Sequence, residues 1–388
     1  MQFSERMKYF GENIFTALLR MKEEMEGSGR KVTDLSIGAP NIPPSDGVIR
    51  ALTEAAADRS NYIYAIKDQD QLLEAVAAWY DRRYGVKIDP KREVVSLLGS
   101  QEGLAHFALA VVNPGDLVLV PDPCYPVFGD GPRIAGAKLH YKPLRPEKDY
   151  LIDFDEIPDE VADKAKLMVV SYPNNPTAAL APDWWYEQCI AFAKKHRILV
   201  LHDNAYSELV FDQEPTGSFL RFPGAREVGV EFNSLSKTYG LAGARVGFCI
   251  GNAEVVAQIA KLKSNMDYGM FLPIQKAAIA AITGDQSCVE TTREAYRRRR
   301  DCFCNGCNRI GWKMNPSPAT MFVWARIPEG FASSEDFVKA LLTRAGVLVT
   351  PGSAFGPSGE GYVRMALVKD EEEMEEAIEN MRKSGIFG

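Results

Sequence analysis

The chain has 388 residues, of which 46% are hydrophobic and 25% are charged, and its formal net charge is −7. This composition suits a globular protein of roughly two or three domains, and the negative charge argues against a nucleic-acid partner. The sequence shows no apolar leader and no run near the roughly 18 apolar residues of a membrane span. We therefore expect no membrane partner and a cytoplasmic location.

Short apolar runs alternate with stretches of helical periodicity from residue 45 to residue 280. In DQDQLLEAVAAWYDRRYGV, the residues Leu72, Val76, Trp79 and Tyr80 recur at helical spacing and predict an amphipathic helix. Strands are predicted at EVVSLLGS, DLVLVPDP, KLMVVSYP, RILVLHD, EVGVEFNS and RVGFCIG. The alternation indicates an α/β fold with a mostly parallel sheet and helices on both faces.

The pattern changes after Ile282. A long helix is followed by a strand at MFVWARIP, a helix at SSEDFVKALLTRAG, strands at VLVTPGSAFG and YVRMALV, and a final acidic helix. These elements indicate a smaller α+β domain, and we expect the first 44 residues to pack against it because they precede the alternating units. We therefore predict a large domain of residues 45–280 and a small domain of residues 1–44 plus 281–388.

Three of the seven cysteines lie close together in DCFCNGC, at Cys302, Cys304 and Cys307. A structural zinc site needs four ligands, and no fourth ligand stands at a suitable spacing. The segment also has a helical apolar stripe that includes Phe303 and Ile310. We interpret it as a helix without a metal, and the cysteines as reduced thiols because no secretory signal is visible.

Polar residues follow most of the predicted strands, at the sheet edge where α/β proteins bind ligands. Gly99 turns into a helix whose first N–H groups suit a phosphate. The residues that supply an aromatic ring, an amide, a carboxylate, a hydroxyl or an amine are Tyr125, Asn174, Asn175, Asp203, Tyr206, Ser234, Ser236 and Lys237. Each alone has an ordinary structural explanation, but together they suit a cofactor with a phosphate, an aldehyde and a ring nitrogen.

The sequence resembles the class I/II aminotransferases of fold type I, which use pyridoxal 5′-phosphate. Three motifs carry the resemblance in the family's order: YPNNPT, DNAY and SLSKTYGLAGARVGF. The resemblance covers nearly the whole chain. It implies the fold of PLP-dependent transferases, with a mostly parallel seven-stranded sheet sandwiched by helices and a smaller α+β domain. It also implies a homodimer with shared active sites.

The resemblance implies three catalytic residues. Lys237 would form a Schiff base with the cofactor and later move the proton, Asp203 would pair with the pyridine nitrogen, and Tyr206 with Asn175 would bind the ring's phenolic oxygen. Tyr125 would stack on the ring. The residues that would hold the phosphate are Ser100, Gln101, Ser234, Ser236 and Arg245.

The substrate contacts are also implied by the resemblance. Arg364 in GYVRMAL would clamp the α-carboxylate of the substrate, with Asn175 and the backbone of Gly38 in LSIGAP beside it. Lys67 is a candidate contact for a distal acid, although an exposed lysine is the more ordinary interpretation.

A tyrosine of the family usually reaches the phosphate in the partner subunit. In this sequence Ile63 stands at the position of that tyrosine when no gap is introduced, and Tyr62 and Tyr64 flank it. Asp68 stands where a glycine is usual. We favour Tyr64 for the contact with the partner's phosphate. Tyr268 or Phe271, in KSNMDYGMFLPIQ, would line the neighbour's site. That segment is similar to a subgroup of bacterial alanine and LL-diaminopimelate aminotransferases.

One motif departs from the usual N-P-T-G, because residues 175–178 read N-P-T-A. Glycine permits a tight turn, so Ala178 suggests a slightly different backbone. The same subgroup tolerates such a change.

The leading hypothesis is transfer of an amino group between an L-amino acid, of the alanine, aspartate or LL-diaminopimelate class, and a 2-oxo acid such as 2-oxoglutarate or pyruvate. A β-lyase on the same fold would use the same lysine, aspartate and arginine but no second substrate. A non-catalytic regulator would not need the proton-moving Lys237. Arg364 would recognise only the α-carboxylate that all amino acids share, so the donor classes stay open.

Overall fold

The computed structural model describes residues 1–12, 14–214 and 217–387. The helices are α1 Ile14–Gly27, α2 Asp46–Ala57, α3 Asp70–Tyr84, α4 Ser100–Val111, α5 Val127–Ile134, α6 Asp159–Ala162, α7 Asp183–His196, α8 Ala225–Val228, α9 Leu235–Thr238, α10 Ala253–Met266, α11 Leu272–Thr283, α12 Ser287–Arg309, α13 Ser334–Ala345 and α14 Glu371–Lys383. None of the helices in these ranges is long and apolar enough to cross a membrane.

The strands of the largest sheet are β2 Val94–Leu98, β3 Leu117–Asp122, β4 Lys138–Pro143, β5 Ala165–Ser171, β6 Leu199–Asp203, β7 Gly229–Ser234 and β8 Val246–Gly251. Their order is β2-β8-β7-β6-β5-β3-β4, and only β8 runs antiparallel to its neighbours. The prediction of an α/β fold with a mostly parallel seven-stranded sheet is confirmed. The sequence pattern missed β4, a largely exposed edge strand without an apolar run.

Helices cover both faces of this sheet. Adjacent residues of β6 face opposite cores, because successive side chains of a strand alternate. Val200 packs with residues of α3, α7 and α11, and Leu201 packs with residues of α4, α5 and α10.

The remaining strands are β1 Thr33–Asp34, β9 Phe322–Arg326, β10 Val347–Leu348, β11 Thr350–Pro351 and β12 Tyr362–Ala366. β1 pairs with β10, and β11, β12 and β9 form an antiparallel sheet. A third core joins this sheet to α12, α13 and α14 and includes Leu18 and Leu35 near the N-terminus, as well as Tyr206 and Phe211. The division into residues 45–280 and residues 1–44 plus 281–388 stays a prediction.

The cysteine cluster lies on α12, as the apolar stripe predicts. Cys304 and Cys307 are buried in the third core, and Cys302 lies 3.7 Å from the backbone oxygen of Glu371. Burial raises the pKa of Cys302 to about 11 and the pKa of Cys304 to about 12. All seven cysteines are free thiols, and these two are protonated at neutral pH.

Candidate active site

The carboxyl ends of β5, β6 and β7 lie level, because Ser171 pairs with Asp203 and Asp203 pairs with Phe232 across the sheet. They open into a cavity of about 330 Å³. The predicted site residues that line it are Gly38, Ser100, Gln101, Tyr125, Asn175, Asp203, Tyr206, Ser234, Ser236, Lys237, Arg245 and Arg364. One cavity therefore brings together the residues predicted to hold the cofactor and the α-carboxylate, except Tyr64, whereas Asn174, Lys67, Tyr268 and Phe271 do not line it.

Lys237 lies in the short helix α9, which directly follows β7. The hydroxyl of Ser234 caps this helix by accepting the N–H of Ser236 at 3.2 Å. Lys237 Nζ donates to the backbone oxygen of Gly38 at 2.8 Å. Burial and the nearby charge of Arg364 lower the pKa of Lys237 to about 8. An amine with this pKa has a sizeable neutral, nucleophilic fraction near neutral pH.

Asp203 ends β6 with a carboxylate that the chain does not fully pair. Its Oδ1 is buried and accepts no hydrogen bond from the described residues, and the N–H of Ala205 reaches the carboxylate. Burial raises the pKa of Asp203 to about 7. A buried carboxylate oxygen without a partner costs free energy until a donor arrives. It therefore fits a protonated ring nitrogen.

The N-terminus of α4 forms a cradle for an anion. A Cβ on Gly99, whose φ is +76°, would lie 2.4 Å from Arg245 Nη2, and a Cβ on Gly247 would lie 2.6 Å from the N of Ser100. Arg245 has a φ of +58° and donates Nη1 to the oxygen of Ala242 at 3.0 Å. The glycine-rich run after Lys237 therefore brings Arg245 next to the free N–H groups at the start of α4. The guanidinium and these N–H groups together fit a phosphate.

Arg364 is a buried cation on β12 that lines the same cavity. Nη1 donates to Asn175 Oδ1 at 2.9 Å, Nη2 donates to the oxygen of Ser36 at 2.9 Å, and Nε has no partner among the described residues. Burial lowers the pKa of Arg364 to about 10. The ion pairs of the described chain include none with Arg364, so the guanidinium fits an anionic group of a ligand.

Sequence reasoning missed the apolar part of the site. Phe15, Ile37 and Phe322 line the cavity, and the ring of Phe322 lies 4.1 Å from the guanidinium carbon of Arg364. A Cβ on Gly38 would meet Phe322 at 2.6 Å. The strand that holds Phe322 is recognisable in the sequence, but an apolar residue in a strand has the pattern of an ordinary core residue.

Ala178 has a φ of +61°, in the left-handed region that favours glycine. It is fully buried, and its N–H donates to the oxygen of Asn174 at 2.9 Å. The alanine therefore takes the conformation that suits a glycine.

Tyr64 lies on the surface and does not line the cavity of its own chain. It is 80% exposed, and its ring centroid lies 5.8 Å from that of Tyr268. The hydroxyl of Tyr62 donates to the oxygen of Ala56 at 3.0 Å, and its ring packs against Phe271. The two aromatic pairs share an exposed surface, and of the two tyrosines only Tyr62 has its hydroxyl bonded within the described chain.

The remaining charged candidates are accounted for by ion pairs. Lys67 Nζ lies on the surface, 3.7 Å from Asp70 Oδ1. One group of the described residues, Glu102, His106 and Asp267, has metal-ligand spacing. Lys263 Nζ already binds its carboxylates, at 2.8 Å from Glu102 and 3.1 Å from Asp267. The lysine occupies both carboxylates and offsets part of their charge, and we assign no metal to the group.

Comparison with known proteins agrees with this geometry. The family profile of aminotransferase class I and II matches residues 30–381. The chain belongs to the class I and II aminotransferases. The prediction of an aminotransferase is confirmed at the level of the family, and family and fold imply a pyridoxal phosphate cofactor.

The relatives of this aminotransferase match it over nearly its whole length. It is 46% identical to the LL-diaminopimelate aminotransferase of Syntrophobacter fumaroxidans over 98% of each chain. BacF of Bacillus subtilis, solved with substrate bound, is 38% identical with a TM-score of 0.96 over 100% of this chain and 99% of that one. A probable N-succinyldiaminopimelate aminotransferase of Thermus thermophilus is 37% identical with a TM-score of 0.90 over 96% and 100%.

Gly99→Ala is expected to weaken the affinity for pyridoxal phosphate at least about tenfold, because a Cβ there displaces Arg245 from the place where it would hold the phosphate. Fluorescence titration of the cofactor-free protein measures the affinity. Gly243→Ala in the same glycine-rich run is the control, since its Cβ would meet no atom within 4 Å. Equal affinities in the two variants would contradict the cradle.

Asp203→Asn is expected to stabilise the cofactor-free protein at about pH 8, by on the order of 2–4 kcal/mol, and not at about pH 4. The raised pKa, about 7 against an ordinary 3.8, means that the folded protein keeps a proton that the unfolded chain releases. The wild type therefore loses stability as pH rises through that window, and the asparagine variant does not. Urea unfolding across the pH range measures the difference, and parallel pH profiles would refute it.

Proposed function

We propose that this aminotransferase moves an amino group between an L-amino acid and a 2-oxo acid in the cavity that holds Lys237, Asp203 and Arg364. The observation that carries the proposal is the state of these three groups. One cavity holds a buried amine with a lowered pKa, and a carboxylate oxygen and a guanidinium that find no donor and no anion among the described residues. Each lacks a partner that a cofactor or an amino acid provides.

Pyridoxal phosphate supplies an aldehyde that carries the amino group and a ring that takes up negative charge. Lys237 would bind the aldehyde and, once released, move the proton at the α-carbon of the substrate. Its lowered pKa suits both roles, because a neutral amine attacks a carbonyl and accepts a proton.

Asp203 would keep the ring nitrogen protonated, and Tyr206 with Asn175 would bind the phenolic oxygen. Burial raises the pKa of Tyr206, so its hydroxyl stays a donor. Tyr125 would stack on the ring. The phosphate would be held by Ser100, Gln101, Ser234, Ser236 and Arg245.

Arg364 would bind the α-carboxylate of the substrate through the N–H groups that its protein partners leave free. Asn175 holds the guanidinium in place and Phe322 lies against it at 4.1 Å, so the planar fork is oriented before the substrate arrives. The backbone of Gly38, whose oxygen accepts from Lys237 Nζ at 2.8 Å, would lie beside the same carboxylate.

We infer that LL-diaminopimelate is the amino donor and 2-oxoglutarate the acceptor. The support is the 46% identity, over 98% of both chains, to a protein named LL-diaminopimelate aminotransferase. A solved relative named for the N-succinyl derivative is less similar, at 37% identity. The two donors differ in the charge of the distal amine, so direct comparison of the two distinguishes them.

A homodimer is part of the proposal, and Tyr64 would reach the phosphate in the partner subunit. The support is the exposed aromatic surface of Tyr62, Tyr64, Tyr268 and Phe271. Tyr64 is favoured over Tyr62 because the Tyr62 hydroxyl already donates to the oxygen of Ala56. We also propose the predicted two-domain division. We propose a cytoplasmic location as well, and the free thiols of all seven cysteines support that location.

The purified protein with pyridoxal phosphate is expected to convert LL-diaminopimelate only when 2-oxoglutarate is present, and to form one glutamate for each donor consumed. Absorbance of the bound cofactor and chromatography of the amino acids measure both events. N-Succinyl-LL-diaminopimelate, L-alanine and L-aspartate are tested in parallel. Turnover of a cysteine S-conjugate, which carries a leaving group on its β-carbon, without an oxo acid would indicate a β-lyase. Binding of the cofactor without turnover of any substrate would indicate a regulator.

The control for this experiment ties turnover to the cavity. Arg364→Lys is expected to raise the KM for the donor by about a hundredfold, because a single ammonium cannot replace a bidentate fork in a buried site. Arg326→Lys, on the neighbouring strand and exposed to solvent, leaves KM unchanged.

Mixing Lys237→Ala protomers with Tyr64→Phe protomers is expected to restore about a quarter of the wild-type sites after subunit exchange. In a mixed dimer, one site receives the intact Lys237 of one chain and the intact Tyr64 of the other. Activity at limiting cofactor measures the recovery. Tyr62→Phe is the matched control and retains the wild-type affinity for the cofactor. No recovery on mixing would mean that Tyr64 does not act across the interface.

A further inference from the structure

His202 lies on β6 directly before Asp203, and its side chain points to the other face of the sheet. It is fully buried there, with the rings of Tyr186 and Phe219 each 5.7 Å away. No part of it lines the cavity described above. The proposed reaction therefore does not use it directly, and its buried polar ring needs another explanation.

Both ring nitrogens of His202 face hydrogen-bond acceptors. Nδ1 lies 3.1 Å from Glu231 Oε2, and Nε2 lies 3.1 Å from the backbone oxygen of Tyr172. A carbonyl oxygen can only accept, so Nε2 carries a hydrogen. The charge of the ring then depends on whether Glu231 is ionised.

Glu231 is surrounded by donors. Oε2 accepts the N–H of Phe219 at 2.7 Å, and Oε1 accepts from the hydroxyls of Tyr80 at 2.8 Å and Ser218 at 2.9 Å. Three donors on one carboxylate favour its ionised form, because each of these hydrogen bonds stabilises the negative charge.

The directions of these two hydroxyl bonds are set by their other partners. The Ser218 hydroxyl accepts the N–H of Leu220 at 3.0 Å, and the Tyr80 hydroxyl accepts from Asn233 Nδ2 at 3.2 Å. Each hydroxyl therefore gives its own hydrogen to Glu231. The negative charge of Glu231 also contributes to raising the pKa of Tyr80, after burial.

We propose that His202 is an imidazolium at neutral pH, held in this state by Glu231 and Tyr172, and that its charge favours the ionised form of Asp203 from the opposite face of the sheet. His202 is thus a positioning residue that acts on the cofactor's ring nitrogen only through Asp203. The second half of this inference rests on the proposed role of Asp203.

The charges around Asp203 support this direction of effect. Burial raises the pKa of Asp203, and the charge of His202 is the largest influence that lowers it, followed by the N–H of Ala205 and the charge of Lys237. Glu231 acts in the opposite sense but more weakly. On the sheet face that holds His202, the titratable side chains of the described residues include Tyr80 and Tyr84 on α3, Tyr172, Tyr186, Cys189 and Tyr239, and Glu208 with its partner Arg83. Arg83 and Glu208 form an ion pair with each other.

The first test is the protonation state of His202 in the cofactor-free wild-type protein. The chain has four histidines, and the variants His106→Asn, His140→Asn and His196→Asn assign the other three ring signals in ¹⁵N NMR. We expect both ring nitrogens of His202 to carry a hydrogen at neutral pH. A neutral ring with one protonated nitrogen would overturn the proposal whatever the cofactor does.

The second test measures cofactor affinity and not turnover. Cofactor-free protein is titrated with pyridoxal phosphate and with 1-deazapyridoxal phosphate, in which a CH group replaces the ring nitrogen. His202→Asn is expected to weaken the affinity for pyridoxal phosphate about tenfold, since a change of one pKa unit in Asp203 corresponds to a factor of ten. The same variant is expected to bind the deaza analogue as the wild type does, because no ring nitrogen is present for Asp203 to hold.

A matched control is His196→Asn. His196 is also buried and also pairs with a carboxylate, Asp163 at 2.7 Å, but it lies at the end of α7 and does not line the cavity. It should leave both affinities unchanged. Equal weakening of both ligands by His202→Asn would indicate a structural role and overturn the inference. Wild-type protein that binds both ligands equally would instead refute the proposed role of Asp203 and leave the NMR result standing.

Discussion

The site depends on the parallel register of three strands. β5, β6 and β7 end at the same level, because Ser171 lies beside Asp203 and Asp203 lies beside Phe232. Parallel strands require crossover connections, and each crossover here returns the chain so that a loop leaves the same edge of the sheet. The carboxylate, the amide and the lysine therefore meet although the segments that carry them are far apart in sequence. A one-residue slip of β6 would turn Asp203 to the opposite face and bring His202 to the cavity.

The groups that meet there are left unsatisfied by the protein. Within the described part of the chain, Asp203 has a buried oxygen without a donor and Arg364 is a buried cation without an anion, and Lys237 has a pKa lowered to about 8 by burial and by neighbouring cations. Each arrangement destabilises the chain on its own. Three apolar cores provide the stability that tolerates this, and a ligand with a ring nitrogen and a carboxylate removes two of the three penalties. The same burial that costs stability therefore favours binding.

The sheet and most of the cavity could be predicted from the sequence, because both leave signals in short stretches of it. Strand ends, the lysine motif and the glycines that admit Arg245 are visible in short windows of sequence. Phe322 gave no such signal, since its contact with Arg364 depends on how β9 and β12 pair and on where Gly38 passes. The edge strand β4 was missed because an exposed strand lacks the apolar run that identifies its neighbours. Tyr64 stays a prediction, because a single chain holds only its own half of any shared surface.

β6 also shows how a core residue and a site residue can act together. Strand alternation places His202 and Asp203 on opposite faces, so the two side chains never compete for space. The backbone keeps them adjacent, and a charge on one acts on the other through the protein interior, where screening by solvent is weak. A cation placed inside the cavity would compete with the ring nitrogen for Asp203. A cation behind the sheet, held by Glu231, favours the ionised carboxylate without touching it, and so leaves the free oxygen of Asp203 open to the ligand.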